Sequence, residues 1–133
     1  MTVDSPITRA DQWMFGLGAV FTSSIACLLL AAPSWSLELF YRRPMLPEDP
    51  VLLMVGKDFA GSLLLFGIGY AIVALNPAKN HAVVGLGIAG KACVVVAMTQ
   101  RFIVGAATGW ILIAVAGDLL FGLLFARFLW RTR

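Results

Sequence analysis

The chain has 133 residues, 60% of them hydrophobic and 13% charged, with a formal net charge of +3. A soluble domain of that length has too little interior to hide so much apolar surface, and it would carry charge every few residues. The basic residues fall mostly at the ends of apolar runs. No arginine or lysine stripe, interleaved aromatic platform or zinc-ligand spacing accompanies them, so no nucleic acid partner is expected.

Residues 1–12 carry Asp4, Arg9 and Asp11 and lack the basic start of a cleaved signal peptide, so the apolar segment that follows is read as retained. That segment, 13–32, is uncharged and ends before Pro33. Twenty helical residues span the roughly 30 Å hydrocarbon layer. Residues 33–50, PSWSLELFYRRPMLPEDP, mix Trp35, Leu37, Leu39, Phe40 and Tyr41 with Ser36, Glu38, Arg42 and Arg43. This mixture predicts a short interfacial segment, and Pro44, Pro47 and Pro50 preclude a long regular helix through its second half. A second span covers 51–75, with Lys57 and Asp58 early and Asn76-Pro77 closing it.

A third span covers 81–102 and a fourth 105–130, with Arg131 and Arg133 behind it. A single helix across both would be about 75 Å long at 1.5 Å per residue, far longer than a bilayer is thick. A reversal between Arg101 and Thr108 is therefore expected, with Gly105 and Gly109 loosening the helix. The apolar runs lack the alternation of a transmembrane barrel. The expected fold is an all-α integral membrane protein, a single four-transmembrane-helix bundle covering residues 1–133. Small residues mark helix contacts in lipid, so Gly85 with Ala89, and Gly105 with Gly109, are read as packing pairs. The same small faces allow a homo-oligomer or docking in a larger membrane complex. Cys27 and Cys93 are read as buried small hydrophobes.

Lys91 and Asp118 are the strongest functional clue. With the reversal centred near 104 and 105, each lies about thirteen residues from it, roughly 20 Å at helical rise, and an antiparallel hairpin sets them level. Either charge alone is costly in hydrocarbon, whereas the two together satisfy one another. The same counting puts Asp58 level with Gln100 and Arg101. This predicts an Asp58–Arg101 pair and a polar track from Arg42 and Arg43 toward Lys91 and Asp118, whereas Lys57 points elsewhere or snorkels. His81 falls near Arg127. It is the single histidine, and Asp58, Asp118 and His81 lie at different depths, so no metal is expected and no cofactor is assigned. Tyr41, Tyr70, Trp13, Trp110 and Trp130 are assigned to boundary and packing roles.

GIAGK at 87–91 followed by GDLLFGLLFARFL at 117–129 resembles small four-helix bacterial inner-membrane proteins of DoxX-like type, over the last half of the chain. The resemblance implies a bacterial inner-membrane location and carries no activity or ligand with it. Four crossings put both termini beside the 76–80 turn, with Arg9, Lys79, Arg127, Arg131 and Arg133. Arg42, Arg43, Lys57 and Arg101 lie opposite, and the balance favours cytoplasmic termini.

The first functional expectation is a binding or transport protein for an ion, a proton-coupled solute or a small amphiphile. Lys91 and Asp118 form its buried site, and Asp58 and Arg101 stand at the entrance. A structural or auxiliary subunit, with the pair fixing helix register, is the alternative. A membrane enzyme acting on a lipid-like substrate ranks third, because no nucleophile–base set, metal motif or paired general acids is visible.

Overall fold

A computed structural model describes residues 7–41 and 50–132. Thr8 starts the first helix, α1 (Arg9–Ala31). Its hydroxyl accepts from the Asp11 backbone N–H, and the Asp11 carboxylate accepts from the Thr8 backbone, a capping box that satisfies two otherwise orphaned donors. α1 stops where Pro33 cannot continue the hydrogen-bond ladder. Pro33 then opens a second, short helix, α2 (Pro33–Phe40), a position where its missing N–H costs nothing. The interfacial segment expected over 33–50 is therefore helical in its first half. Arg42, Arg43, Pro44 and Pro47 lie outside the described residues.

The third helix, α3 (Pro50–Leu75), ends at Asn76-Pro77, and a 3-10 turn (Pro77–Lys79) leads into α4 (His81–Ile103). The last helix, α5, runs Ile111–Arg131. It begins six residues later than the expected start at 105. Gly105, at φ 73°, takes the left-handed conformation that favours glycine. Its N–H donates to the Phe102 carbonyl and the next N–H, from Ala106, donates to Arg101. These are the paired bonds of a Schellman cap, so α4 ends in a built stop. Residues 104–110 then form a connection tied to the end of α2. The Thr108 N–H donates to the Phe40 carbonyl at 2.9 Å, its hydroxyl donates to Leu39 at 2.5 Å, and Tyr41 bridges to Ala107.

The described residues are all-α, and α1, α3, α4 and α5 are each long and apolar enough to cross a membrane. Leu17, Leu65, Leu86, Val96 and Leu123 lie within the long helices and are all more than half exposed, surface that suits lipid rather than water. All four tryptophans are exposed near helix ends, Trp13 with Trp130 at one end of the bundle and Trp35 with Trp110 at the other. Membrane interfaces favour tryptophan at those two levels. The chain is a multi-pass membrane protein. Cys27 and Cys93, expected to be buried, are on exposed faces of α1 and α4.

The helices pack as two close pairs, α1 against α3 and α4 against α5. A Cβ on Gly67 would collide with Ser23, which shows how near the α1 and α3 backbones come. Across the two pairs, aromatic rings lie on glycines. Phe21 covers Gly117, Tyr70 covers Gly87 and Phe66 covers Gly90. The expected contact glycines Gly85, Gly105 and Gly109 instead have open space at their Cα atoms, so the chain does not use them for packing against itself.

The core concentrates where the termini meet. Phe15, Tyr70, Val73, Val84, Phe125 and Phe128 are buried there, with the Phe15 ring tilted against Phe125 at 4.7 Å and edge-on to Phe128 at 5.0 Å. Arg131 donates to Asp11 Oδ1 at 2.5 Å and ties the end of α5 to the start of α1.

Candidate functional site

Lys91 sits midway along α4 and is 4% exposed. Asp118 lies about two turns into α5 and is 7% exposed. The ammonium donates to Asp118 Oδ1 at 2.5 Å, so the structure brings the expected pair together. The pairing survives a lopsided hairpin: Lys91 lies 12 residues before the end of α4 and Asp118 only 7 after the start of α5 (103 − 91 and 118 − 111). Residues 104–110 make up the difference.

All four long helices converge on Lys91. Thr22 of α1 accepts a second hydrogen bond from Nζ at 3.3 Å. The rings of Tyr70 on α3, Phe21 on α1 and Phe121 on α5 have their centroids 5.2, 5.7 and 5.8 Å from the same nitrogen. The negative faces of such rings attract a desolvated cation, and the carboxylate neutralises it. The ammonium is thus held by two oxygens inside an aromatic cage. The depth of Lys91 and Asp118 was visible in the sequence, but Thr22 and the cage were not. Phe21-Thr22 reads as ordinary apolar helix, and Tyr70 was assigned to boundary or packing. Tyr70 is in fact 1% exposed at the bundle centre, where its hydroxyl also reaches the Gly87 carbonyl at 3.4 Å.

Asp118 faces two ways. One oxygen holds Lys91, while the residue also lines a part-open cavity of about 70 Å³ that Lys91 does not line. The walls come from all five helices: Ile25 and Leu29 of α1, Leu37 and Phe40 of α2, Gly56, Phe59 and Leu63 of α3, Val94 and Met98 of α4, and Ile111 and Ala114 of α5. Polar lining is confined to Thr22, Tyr41 and Asp118. The cavity lies in the half of the bundle under α2 and ends on the ion pair.

Between the end of α2 and the ion pair the described walls are mostly apolar, and Arg42 and Arg43, where the expected polar track begins, lie outside the described residues. Asp58 and Arg101 do not pair. Both are exposed, and the two ion pairs among the described residues are Lys91–Asp118 and Asp11–Arg131. Residues at equal depth meet only when both helices also turn them inward, and Asp58 and Arg101 face out. Arg101 acts on Tyr41 instead, where its charge opposes the effect of burial, which pushes the phenol above its ordinary value.

His81 meets Thr132 at 2.9 Å and stacks on Phe128, one position beyond the expected Arg127 level. The Asp11–Arg131 tie was also missed in the sequence. Its signal was present in Thr8-Arg9-Ala10-Asp11, which has the capping-box spacing, and in a four-span topology that returns α5 to the start of α1. Among the described residues no three His, Cys, Asp or Glu side chains gather as metal ligands. Comparison with protein-family models, with curated proteins and with solved structures finds no match.

Proposed function

We propose that this chain is a small membrane binding or transport protein whose ligand is an amphiphile lodged in the cavity beneath α2, with its polar end at Asp118 and Thr22. One observation carries the reading: a cavity walled by aliphatic and aromatic side chains ends on a carboxylate that is already neutralised from behind. Ligand sites are commonly apolar clefts with a few convergent polar groups. A free ion or a strongly hydrated solute finds too few oxygens along these walls, so the amphiphile is favoured over the ion and the proton-coupled solute. The location we propose is a bacterial inner membrane with both termini in the cytoplasm. The DoxX-like resemblance and the five-to-four excess of lysine and arginine on the terminal side support it.

The test is retention. Purified protein is washed in detergent, and bound small molecules are identified by mass spectrometry in wild type and in Ala114→Phe, whose ring would fill the cavity. An amphiphile retained by wild type and lost from a folded Ala114→Phe is the expected result. Equal retention by both would remove the cavity from the reading.

A second reading rests on its own observation. Lys91 finds two oxygens and three rings within the chain, an arrangement that also suits a pair whose task is to fix helix register in an auxiliary subunit. Stoichiometric copurification with a larger complex, with an empty cavity, would favour it.

A further inference from the structure

The two polar groups at the floor of the cavity are not equivalent, and their difference selects a ligand. Asp118 is 7% exposed and Thr22 is 4% exposed, so neither is solvated from outside the bundle. Among the described residues Asp118 Oδ1 accepts a hydrogen bond from the Lys91 ammonium, and Oδ2 accepts none. Oδ2 is not a fully enclosed orphan either, since no wholly buried side-chain oxygen lacks a partner among the described residues, and Asp118 lines the cavity. Thr22 Oγ1 accepts from Lys91 at 3.3 Å, while its own proton has no acceptor among the described residues. Ser24 and Ser36 differ, for each donates its proton to the carbonyl four residues back. The floor thus offers one acceptor and one donor, on two residues that share the Lys91 ammonium. Lys91, which lies behind them, compensates the carboxylate charge.

We infer that the ligand's polar end is a neutral hydroxyl, which donates to Asp118 Oδ2 and accepts from the Thr22 hydroxyl, with a hydrocarbon body along the cavity walls. This rests on the cavity reading above and narrows it. A cationic headgroup would add a second positive charge beside Lys91, inside rings that already hold one. A carboxylate would face Asp118 oxygen to oxygen. An ether or a hydrocarbon would leave the aspartate acceptor unmet. A hydroxyl alone among these satisfies both groups without adding charge, and buried polar groups left unpaired lose affinity.

The experiment compares probes of one chain length on the full chain in lipid nanodiscs: 1-octanol, octyl methyl ether, n-octane, octylamine and octanoate. Each is added at equal mole fraction in the bilayer, and apparent affinity is taken from the concentration dependence of the thermal midpoint. In wild type, octanol should bind about tenfold more tightly than the ether, the ratio expected for one buried hydrogen bond. In Thr22→Val, which keeps shape but removes both the donor and the second acceptor of Lys91, that ratio should fall to about threefold or less in a variant that still folds, whereas Thr22→Ser should preserve it. Asp118→Asn leaves Lys91 uncompensated and is a risk to folding, so the claim rests on the ether and the Thr22 pair. Equal binding of octanol, ether and octane, all abolished by Ala114→Phe, would overturn the hydroxyl assignment and leave the amphiphile cavity standing. Tighter binding of octylamine or octanoate than of octanol would overturn it as well. If no probe shifts the midpoint more in wild type than in Ala114→Phe, the cavity reading falls and the hydroxyl inference falls with it.

Discussion

At the end of the bundle that holds the termini, Phe15, Tyr70, Val73, Val84, Phe125 and Phe128 close on one another, and Asp11 with Arg131 clamps the outermost turn. At the opposite end the same four helices leave a cavity, lined also by Leu37 and Phe40 of α2 and by Tyr41 just after it. Helices in lipid associate through van der Waals contact rather than through a hydrophobic drive, so empty space between them weakens the bundle directly. At about 24 cal/mol per Å³, a void of this size costs on the order of 2 kcal/mol. A bundle that fills one half with six buried aromatic and β-branched side chains has the means to fill the other. The proposed ligand would fill that space, and the Lys91–Asp118 pair stands at the boundary between the halves.

The largest expected effects lie at that boundary. Lys91→Met strands a carboxylate among apolar residues, and Asp118→Asn strands an ammonium. Removing one partner of a buried pair costs about 3–5 kcal/mol, because the other charge remains unpaired or must become neutral. The double variant Lys91→Met with Asp118→Leu should recover a large part of that loss. Reversible unfolding in detergent or lipid for the two single variants and the double would measure the coupling, and purely additive losses would dissolve the pair as an energetic unit. Recovery of stability together with loss of octanol binding would place the ligand on Asp118 rather than on the cavity walls alone.

One substitution made in each half sharpens the comparison. In the packed half, a Cβ on Gly87 would stand 2.5 Å from the Tyr70 ring, so Gly87→Ala forces the ring to move and should cost about 1–3 kcal/mol. In the cavity half, a Cβ on Gly56 meets only a Leu37 methyl, at an ordinary 3.6 Å. Gly56→Ala should therefore lie within about 0.5 kcal/mol of wild type, or gain slightly from the better helix former. Similar losses for the two variants would mean that the cavity half is as tightly packed as the other.

The two halves also differed in how much the sequence revealed. Long uncharged runs marked the four spans, since hydrocarbon tolerates little else, and a lysine and an aspartate deep in adjacent runs had few partners but each other. Depth can be counted along a helix, but rotation cannot, which is why Asp58 and Arg101, level by counting, are both exposed and unpaired with one another. The start of α5 was misplaced because Val104, Ala106 and Ala107 continue the apolar pattern. Only the left-handed Gly105 and the bonds from Thr108 to the end of α2 separate connection from helix. Thr22, Phe21 and Phe121 gave no signal of their own, because residues that line a cage around a cation in lipid are the same ones that fill any apolar core.

A smaller effect is expected at the clamp on the packed end. Asp11→Asn removes the charge that receives Arg131, while its side-chain oxygen can still accept from the Thr8 backbone. Arg131 is 40% exposed on its side chain, so solvent screens the pair, and the loss should be about 1 kcal/mol or less. It should also shrink on raising salt from low to molar concentration. Lys91→Met should show almost no such salt dependence, because its partner is out of reach of the solution. A salt-insensitive Asp11→Asn would indicate that the clamp is held by the capping box alone.

The mildest change concerns the roof of the cavity. Tyr41 lies between α2 and the described start of α3, its hydroxyl donates to the Met98 sulfur at 3.4 Å, and its backbone bridges to Ala107. Burial raises the phenol above its ordinary value of 10.0, and the nearby Arg101 guanidinium opposes that rise only in part. The folded protein therefore holds this proton more tightly than the unfolded chain does. Its contribution to stability is complete below pH 10 and is lost as the pH climbs through the ordinary value toward the folded one. At pH 7–8, Tyr41→Phe should lie within about 0.5 kcal/mol of wild type, since a hydrogen bond to sulfur is weak and the ring remains. Above pH 10 the order should reverse, with wild type falling faster than Tyr41→Phe because only wild type must bury a phenolate or expose the ring. The difference between the two proteins isolates Tyr41 from the other alkaline groups, which both retain. Thermal midpoints taken from pH 8 to 11.5 would show two curves that diverge near pH 10. Parallel curves would mean that the phenol reaches water freely, and that α2 does not close the cavity at Tyr41.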